Sequence, residues 1–217
     1  MEKTIKLTFS FLLFFILPAG LVGCQGLKKP QQRTIDYYTL EYAPPVQETR
    51  ESLPVVLRIE PFQVTPLYNS NRIIYREGPY KRSAYNYHKW RANPGDLVTD
   101  FLRRDIRTSG LFRGVFSSDS RLASTHIIEG TVEEFFEEDD DDQWSAVLAV
   151  SVTLVAEGKT DISRRVIFQR TYRQRTHCEQ KSPVGLAESM SKGMAEVSRK
   201  VIRDIHQNLS IDFYQNS

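Results

Sequence analysis

The side chains that could do chemistry in this 217-residue chain are two cysteines, four histidines, one acidic run and one basic stretch. Metal ligation by His or Cys needs three or four ligands at workable spacing. His88, His126, His177 and His206 are scattered, and the adjacent pair His177-Cys178 has no neighbouring third ligand. An incidental strand-end pair is expected there. The run EEFFEEDDDDQ, residues 133–143, is rich in carboxylates, but Asp139, Asp140, Asp141 and Asp142 are consecutive and no glycine turns them toward one point. A calcium loop requires both spacing and a turn. A solvated hairpin tip is expected, with a weak cation site as the lesser alternative. No G-x-S-x-G, H-E-x-x-H, P-loop or G-x-G-x-x-G occurs, so no catalytic, metal or cofactor residues are assigned and no enzyme is expected.

Cys24 has a different chemistry. Lys3 and Lys6 precede an apolar run from Leu7 to Leu17, broken only by Thr8 and Ser10. That run is too short to cross a bilayer of about 30 Å as a helix, which takes roughly 20 residues. A charged start, a short apolar stretch and small residues before a cleavage point describe an export signal. The sequence Leu21-Val22-Gly23-Cys24 resembles the lipobox of bacterial lipoproteins. That resemblance implies a diacylglyceryl group on the Cys24 thiol, cleavage before it and acylation of the new amine. Residues 1–23 are then the signal peptide, and Cys24 anchors the mature chain in a membrane. An uncleaved anchor and a plain secretory signal are the competing readings. Gln25 stands where the enterobacterial pattern has the aspartate that retains lipoproteins in the inner membrane, which implies the inner leaflet of an outer membrane, facing the periplasm.

The mature chain is left with roughly 200 residues, one domain with a full core. The chain has 29 basic and 27 acidic residues, a near balance that argues against general nucleic-acid binding. With Cys24 acylated, Cys178 is left without a disulfide partner.

The elements that must hold these residues follow from periodicity. Residues 24–34 read as a lipidated tether and 35–217 as the domain. IDYYTLEY (35–42) and LPVVLRIEPFQV (53–64) read as strands. NRIIYREGPY and RSAYNYHKW read as a hairpin split at Gly78-Pro79. Asn93, Pro94 and Asp96 open a helix with apolar Leu97, Val98, Phe101, Leu102 and Ile106. Three long strand candidates follow a short piece at LFRGVFS, and Ser182-Pro183 opens a second helix with a stripe from Leu186 to Leu209. In QWSAVLAVSVTLVAEG both faces are largely apolar, so this strand is expected to be central and covered on both sides, with two amphipathic helices available as cover. One mixed sheet with helices packed on it, an α/β three-layer sandwich, is the expected architecture.

Arg164, Arg165, Arg170, Arg173 and Arg175 make the last strand basic. It could face anionic lipid headgroups or an acidic partner, or it could pair with acids on neighbouring strands. Tyr75, Tyr85, Tyr87 and Trp90 form an aromatic segment that could be a recognition surface or core cover. Strand alternation puts Tyr85 and Tyr87 on one face and His88 and Trp90 on the other, and Trp90 is expected to point inward.

The order of these motifs carries a second resemblance. R-x-E-P-F-x-V (58–64), I-x-Y-R (73–76), Y-x-Y-H-x-W (85–90) and the helix after Pro94 follow DYYTL at 36–40. Together they resemble the ABC-type transport auxiliary lipoprotein family, outer-membrane lipoproteins of mammalian-cell-entry (MCE) type lipid transport systems. The resemblance implies a mixed-sheet fold similar to the amino-terminal domain of the translocation protein TolB. It also implies a membrane-anchored component that docks an MCE substrate-binding protein and its ABC transporter, with possible phospholipid contact. Tyr85, Tyr87, Arg170 and Arg173 are the candidate partner-binding residues. A lipid or hydrophobic-ligand carrier and a structural envelope-assembly lipoprotein are the alternative functions.

Overall fold

Among the described residues, alternating apolar positions build nine strands into one mixed sheet. The computed structural model describes residues 33–46, 51–140, 143–158, 161 and 165–215, with side chains up to residue 211. The signal, Cys24, most of the tether, and Asp141 and Asp142 lie outside the described residues. The chain divides into a unit of residues 1–34 and a second of Ile35–Ser217, to which everything below belongs.

The strands are β1 (Asp36–Tyr38), β2 (Leu53–Ile59), β3 (Gln63–Val64), β4 (Arg72–Glu77), β5 (Arg82–Trp90), β6 (Phe112–Ser117), β7 (His126–Asp140), β8 (Gln143–Ala156) and β9 (Val166–His177). The helices are α1 (Pro94–Thr108) and α2 (Pro183–Gln215). β7 is the spine. One edge runs antiparallel to β8, which in turn pairs antiparallel with β9. The other edge takes β2, β3 and β4 in succession, all parallel, at Leu57–His126, Gln63–Thr131 and Tyr75–Glu137. β6 extends β2, β5 extends β4, and β1 extends β5. A bulge between Val132 and Glu134 shifts the register, so Val132 and Phe135 share one face while Glu134 and Phe136 share the other.

Both helices start as their sequences predict. The Asn93 side chain accepts from the Gly95 N–H at 3.0 Å, and Ser182 accepts from the Gly185 N–H through its hydroxyl at 3.1 Å. Gly110 ends α1 at φ +66°, a left-handed conformation that glycine adopts without a Cβ clash. Leu97, Val98, Leu102 and Ile106 of α1 are buried, as is the α2 stripe Leu186, Met190, Met194, Val197, Val201, Ile205 and Leu209.

The helices touch each other and share one face of the sheet. Tyr172 of β9 donates to Asp204 of α2 at 3.0 Å, and the Phe62 N–H donates to Thr99 of α1 at 2.9 Å. Phe62 fits because Gly130 of β7 has no side chain: a Cβ there would lie 2.5 Å from the ring. The first expected strand, 35–42, is reduced to three residues. Leu40 is buried, the Glu41 N–H donates to Ser191 of α2 at 2.9 Å and the Tyr42 hydroxyl to Asp105 of α1 at 2.7 Å, so residues 39–46 leave the sheet and strap the two helices.

The large mixed sheet with two helices packed on it matches the expected architecture. β8 is apolar on both faces, but both helices lie on one of them, and the cover on the other comes from strand and turn side chains. Phe136, buried on that face, is stacked by Tyr68 at 5.8 Å between centroids and flanked by the Arg76 and Arg82 guanidinium groups at 5.2 and 5.4 Å.

Candidate functional site

The two faces of the β7–β8–β9 ribbon carry different chemistry. On the face away from the helices, register aligns Glu134 with Ala149 and Arg173, then Phe136 with Val147 and Arg175, then Glu138 with Ser145 and His177. Opposite charges close this grid. Arg173 bonds Glu134 at 2.6 Å, and Arg175 bonds Glu138 at 2.5 Å and Asp140 at 3.1 Å, while Arg76 of β4 also reaches Glu138. Cross-strand pairing of this kind is the structural reading of the basic strand.

Arg170, three positions before Arg173, necessarily points to the other face, where it meets Asp204 of α2 beside Tyr172. Tyr85 and Tyr87 are also separated. The β4–β5 pairing passes from Arg72–Lys89 to Ile74–Ala84, so β5 holds three extra residues there and its alternation breaks. As a result Tyr85 contacts both Tyr75, at 4.9 Å between ring centroids, and His88, at 5.7 Å, although His88 was expected on the opposite face. Tyr87 stays 39% exposed, and Trp90 turns inward as expected, 1% exposed. Tyr85, Tyr87, Arg170 and Arg173 therefore do not converge on one surface.

The acidic run departs from a fully solvated tip. Glu137 and Glu138 are 0% and 5% exposed, and only Asp140 of the described carboxylates here lies open to solvent. Glu138 has its two arginines. Glu137 faces the helix side, where the Tyr85 hydroxyl donates to it at 3.0 Å, and among the described residues no cation pairs with it. Burial pushes its carboxyl up to about 7, the Tyr85 hydrogen bond opposes the shift, and the Asp139 charge adds to it. Neighbouring Cys178 is buried, and burial raises its thiol as well. Beside Tyr85, His88 accepts or donates at 3.0 Å to the Tyr38 hydroxyl and lies 3.7 Å from Asp36. Among the described residues no group of three His, Cys, Asp or Glu could hold a metal ion. His177-Cys178 is split, with the histidine exposed and the cysteine buried.

Glu137 sets a pH dependence whose sign follows from the raised value. The native state holds this proton more tightly than the unfolded chain, so the favourable contribution is full below about 4.5 and is lost as pH rises through about 7. Above that, the fold carries a buried charge. Glu137→Gln keeps an acceptor for Tyr85 and is expected to match the parent near pH 4.5 but to exceed it in stability at pH 8.5, by up to about 3 kcal/mol. Urea unfolding of both proteins at the two pH values checks this. An unchanged difference between them would contradict the assignment.

Glu137 escaped sequence reading because its partner is 52 residues away and two phenylalanines precede an unbroken acidic run. The available signal was that same FF pair, which fixes a buried stretch of β7 directly before the acids.

The comparisons agree with this architecture. The solved structure of protein XCC0632 from Xanthomonas campestris superposes with a TM-score of 0.74 at 15% identity, covering 82% of this chain and 99% of that one. Hypothetical protein CT253 from Chlamydia trachomatis superposes with a TM-score of 0.52 at 9% identity, covering 71% and 96%. These likenesses show a shared fold. No curated protein matches the chain. The family model described as ABC-type transport auxiliary lipoprotein component matches residues 38–202, spanning the sheet, α1 and most of α2, and the chain belongs to that family.

Proposed function

We propose that this chain is a non-enzymatic, membrane-anchored component of an intermembrane lipid transport system, held by acylated Cys24 in the outer membrane and docking an MCE-family substrate-binding protein of the ABC transporter. The family match over residues 38–202 carries the reading. The lipobox-like Leu21-Val22-Gly23-Cys24 supports the anchor. Among the described residues no helix is long and apolar enough to cross a membrane. Acyl chains supply that hold instead, because each buried methylene is worth about 0.8 kcal/mol and two chains suffice for stable attachment.

The fold suits a docking module. One face of the sheet is committed to the helices, while the other carries a lattice of ion pairs beside buried Phe136, Val147 and Ala149. The test is co-purification. Detergent-solubilised full chain is expected to retain the cognate MCE protein at a fixed stoichiometry, and to show no esterase, phosphatase or phospholipase turnover above buffer. Turnover abolished by a single His, Ser or Asp substitution would overturn the non-enzymatic reading. Extraction of lipid into a stoichiometric soluble complex by the chain alone would favour the carrier alternative.

A further inference from the structure

The free face of the sheet contains a cleft that the ion-pair grid does not use. It has a volume of about 420 Å³, within the range of ligand sites. Its floor is the two rows next to Glu134–Arg173: Glu129 beside Thr153 and Gln169, and Thr131 beside Ser151. Its wall is the β2–β3 connection from Glu60 to Gln63, held in place by the Phe62 ring seated over Gly130 on the reverse side. Among the described residues, the side chains of Gln63, Glu129, Thr131, Ser151, Thr153 and Gln169 make no hydrogen bond or ion pair with the protein. This contrasts with the next rows along the same strands, where Glu134 and Glu138 are paired with arginines.

The charge balance of the cleft selects its occupant. No Lys or Arg lines it. The nearby Arg58 is already engaged, donating to Glu60 at 3.1 Å and to Glu157 at 2.6 Å. Glu129 is thus an unneutralised carboxylate surrounded by free hydroxyl and amide groups. A phosphate or carboxylate would find no cation there. A basic group would find the carboxylate, and a peptide backbone would find donors and acceptors on both sides.

We infer that this cleft is a docking site for a segment of a protein partner that carries a lysine or arginine side chain, with Glu129 as the counter-charge and Thr131, Ser151, Thr153, Gln63 and Gln169 as backbone-directed hydrogen-bonding groups. The identity of the partner rests on the docking role proposed above, whereas the chemistry of the cleft does not.

The experiment has two arms on the micelle-solubilised full chain. In the first, a short amidated peptide with a central lysine is titrated while backbone NMR signals are followed. Saturable shifts confined to residues 129–131, 151–153 and 169 are expected, lost in Glu129→Lys and absent when glutamate replaces the peptide's lysine. In the second, affinity for the purified cognate MCE protein is measured. Glu129→Gln is expected to weaken it about tenfold and Glu129→Lys further. Glu129 is exposed and unpaired, so both variants are expected to keep the parent's unfolding midpoint. If the MCE protein binds but neither substitution changes its affinity, and the lysine peptide produces no localised shifts, the cleft is not a docking site and the docking role stands. If the peptide binds the cleft and the MCE protein does not bind the chain at all, the cleft stands and the proposed partner falls.

Discussion

Trp90→Ala is expected to lower the unfolding free energy by about 3–5 kcal/mol, roughly a fifth or more of the stability of an ordinary domain. Trp90 ends β5 and is 1% exposed. Its ring meets Phe135 of β7 edge to face, with centroids 5.1 Å apart and planes at 77°, a geometry that adds to simple area burial. The Trp90 backbone N–H donates to the Asn71 carbonyl at 2.8 Å, and the chain then enters the Asn93 cap of α1. Truncation therefore opens a cavity where hairpin, spine strand and helix start meet. Urea unfolding followed by circular dichroism checks this, and an unchanged midpoint would place the ring outside the core. Tyr85 belongs to the same account. Because its hydroxyl serves buried Glu137, Tyr85→Ala leaves a carboxylate without its donor and costs stability.

Cys24→Ala is expected to abolish anchoring altogether. The variant loses the thiol that accepts the diacylglyceryl group, so it is expected to stay uncleaved by the lipoprotein peptidase and to incorporate no labelled palmitate. Without acyl chains, attachment at roughly 0.8 kcal/mol per methylene is gone, and the apolar run from Leu7 to Leu17 is left as a poor substitute. Palmitate labelling and the electrophoretic size of the processed chain read this directly. Normal processing and labelling of the variant would overturn the lipobox reading.

Much of the fold was legible because its signals are local. The Asn93-Pro94 and Ser182-Pro183 starts, the apolar helix stripes, the Gly78-Pro79 hairpin and the two-faced apolar β8 each follow from residues within one element. Arg170 and Arg173 were also separable in principle, since three positions along a strand always reverse the face. What escaped depends on distant contacts. Residues 39–42 have strand propensity, yet Leu40 is worth more under the helices and Glu41 and Tyr42 find partners on α2 and α1. The three extra residues of β5 bring Tyr85 and His88 together against simple alternation. Likewise the order of β2, β3 and β4 along one edge of β7 is a tertiary choice that no single segment announces. The cleft at Glu129 arises from the same arrangement, with its floor on three strands and its wall on a connection some 70 residues earlier.

Vesicle flotation tests the central claim most directly. Liposomes carrying the lipidated full chain are mixed with the purified cognate MCE substrate-binding protein and spun through a density gradient. The account predicts that the MCE protein rises with the vesicles in proportion to the anchored chain, and that Cys24→Ala protein supplied at the same concentration recruits none. An MCE protein that stays at the bottom of the gradient, with the wild-type chain demonstrably anchored, would contradict it.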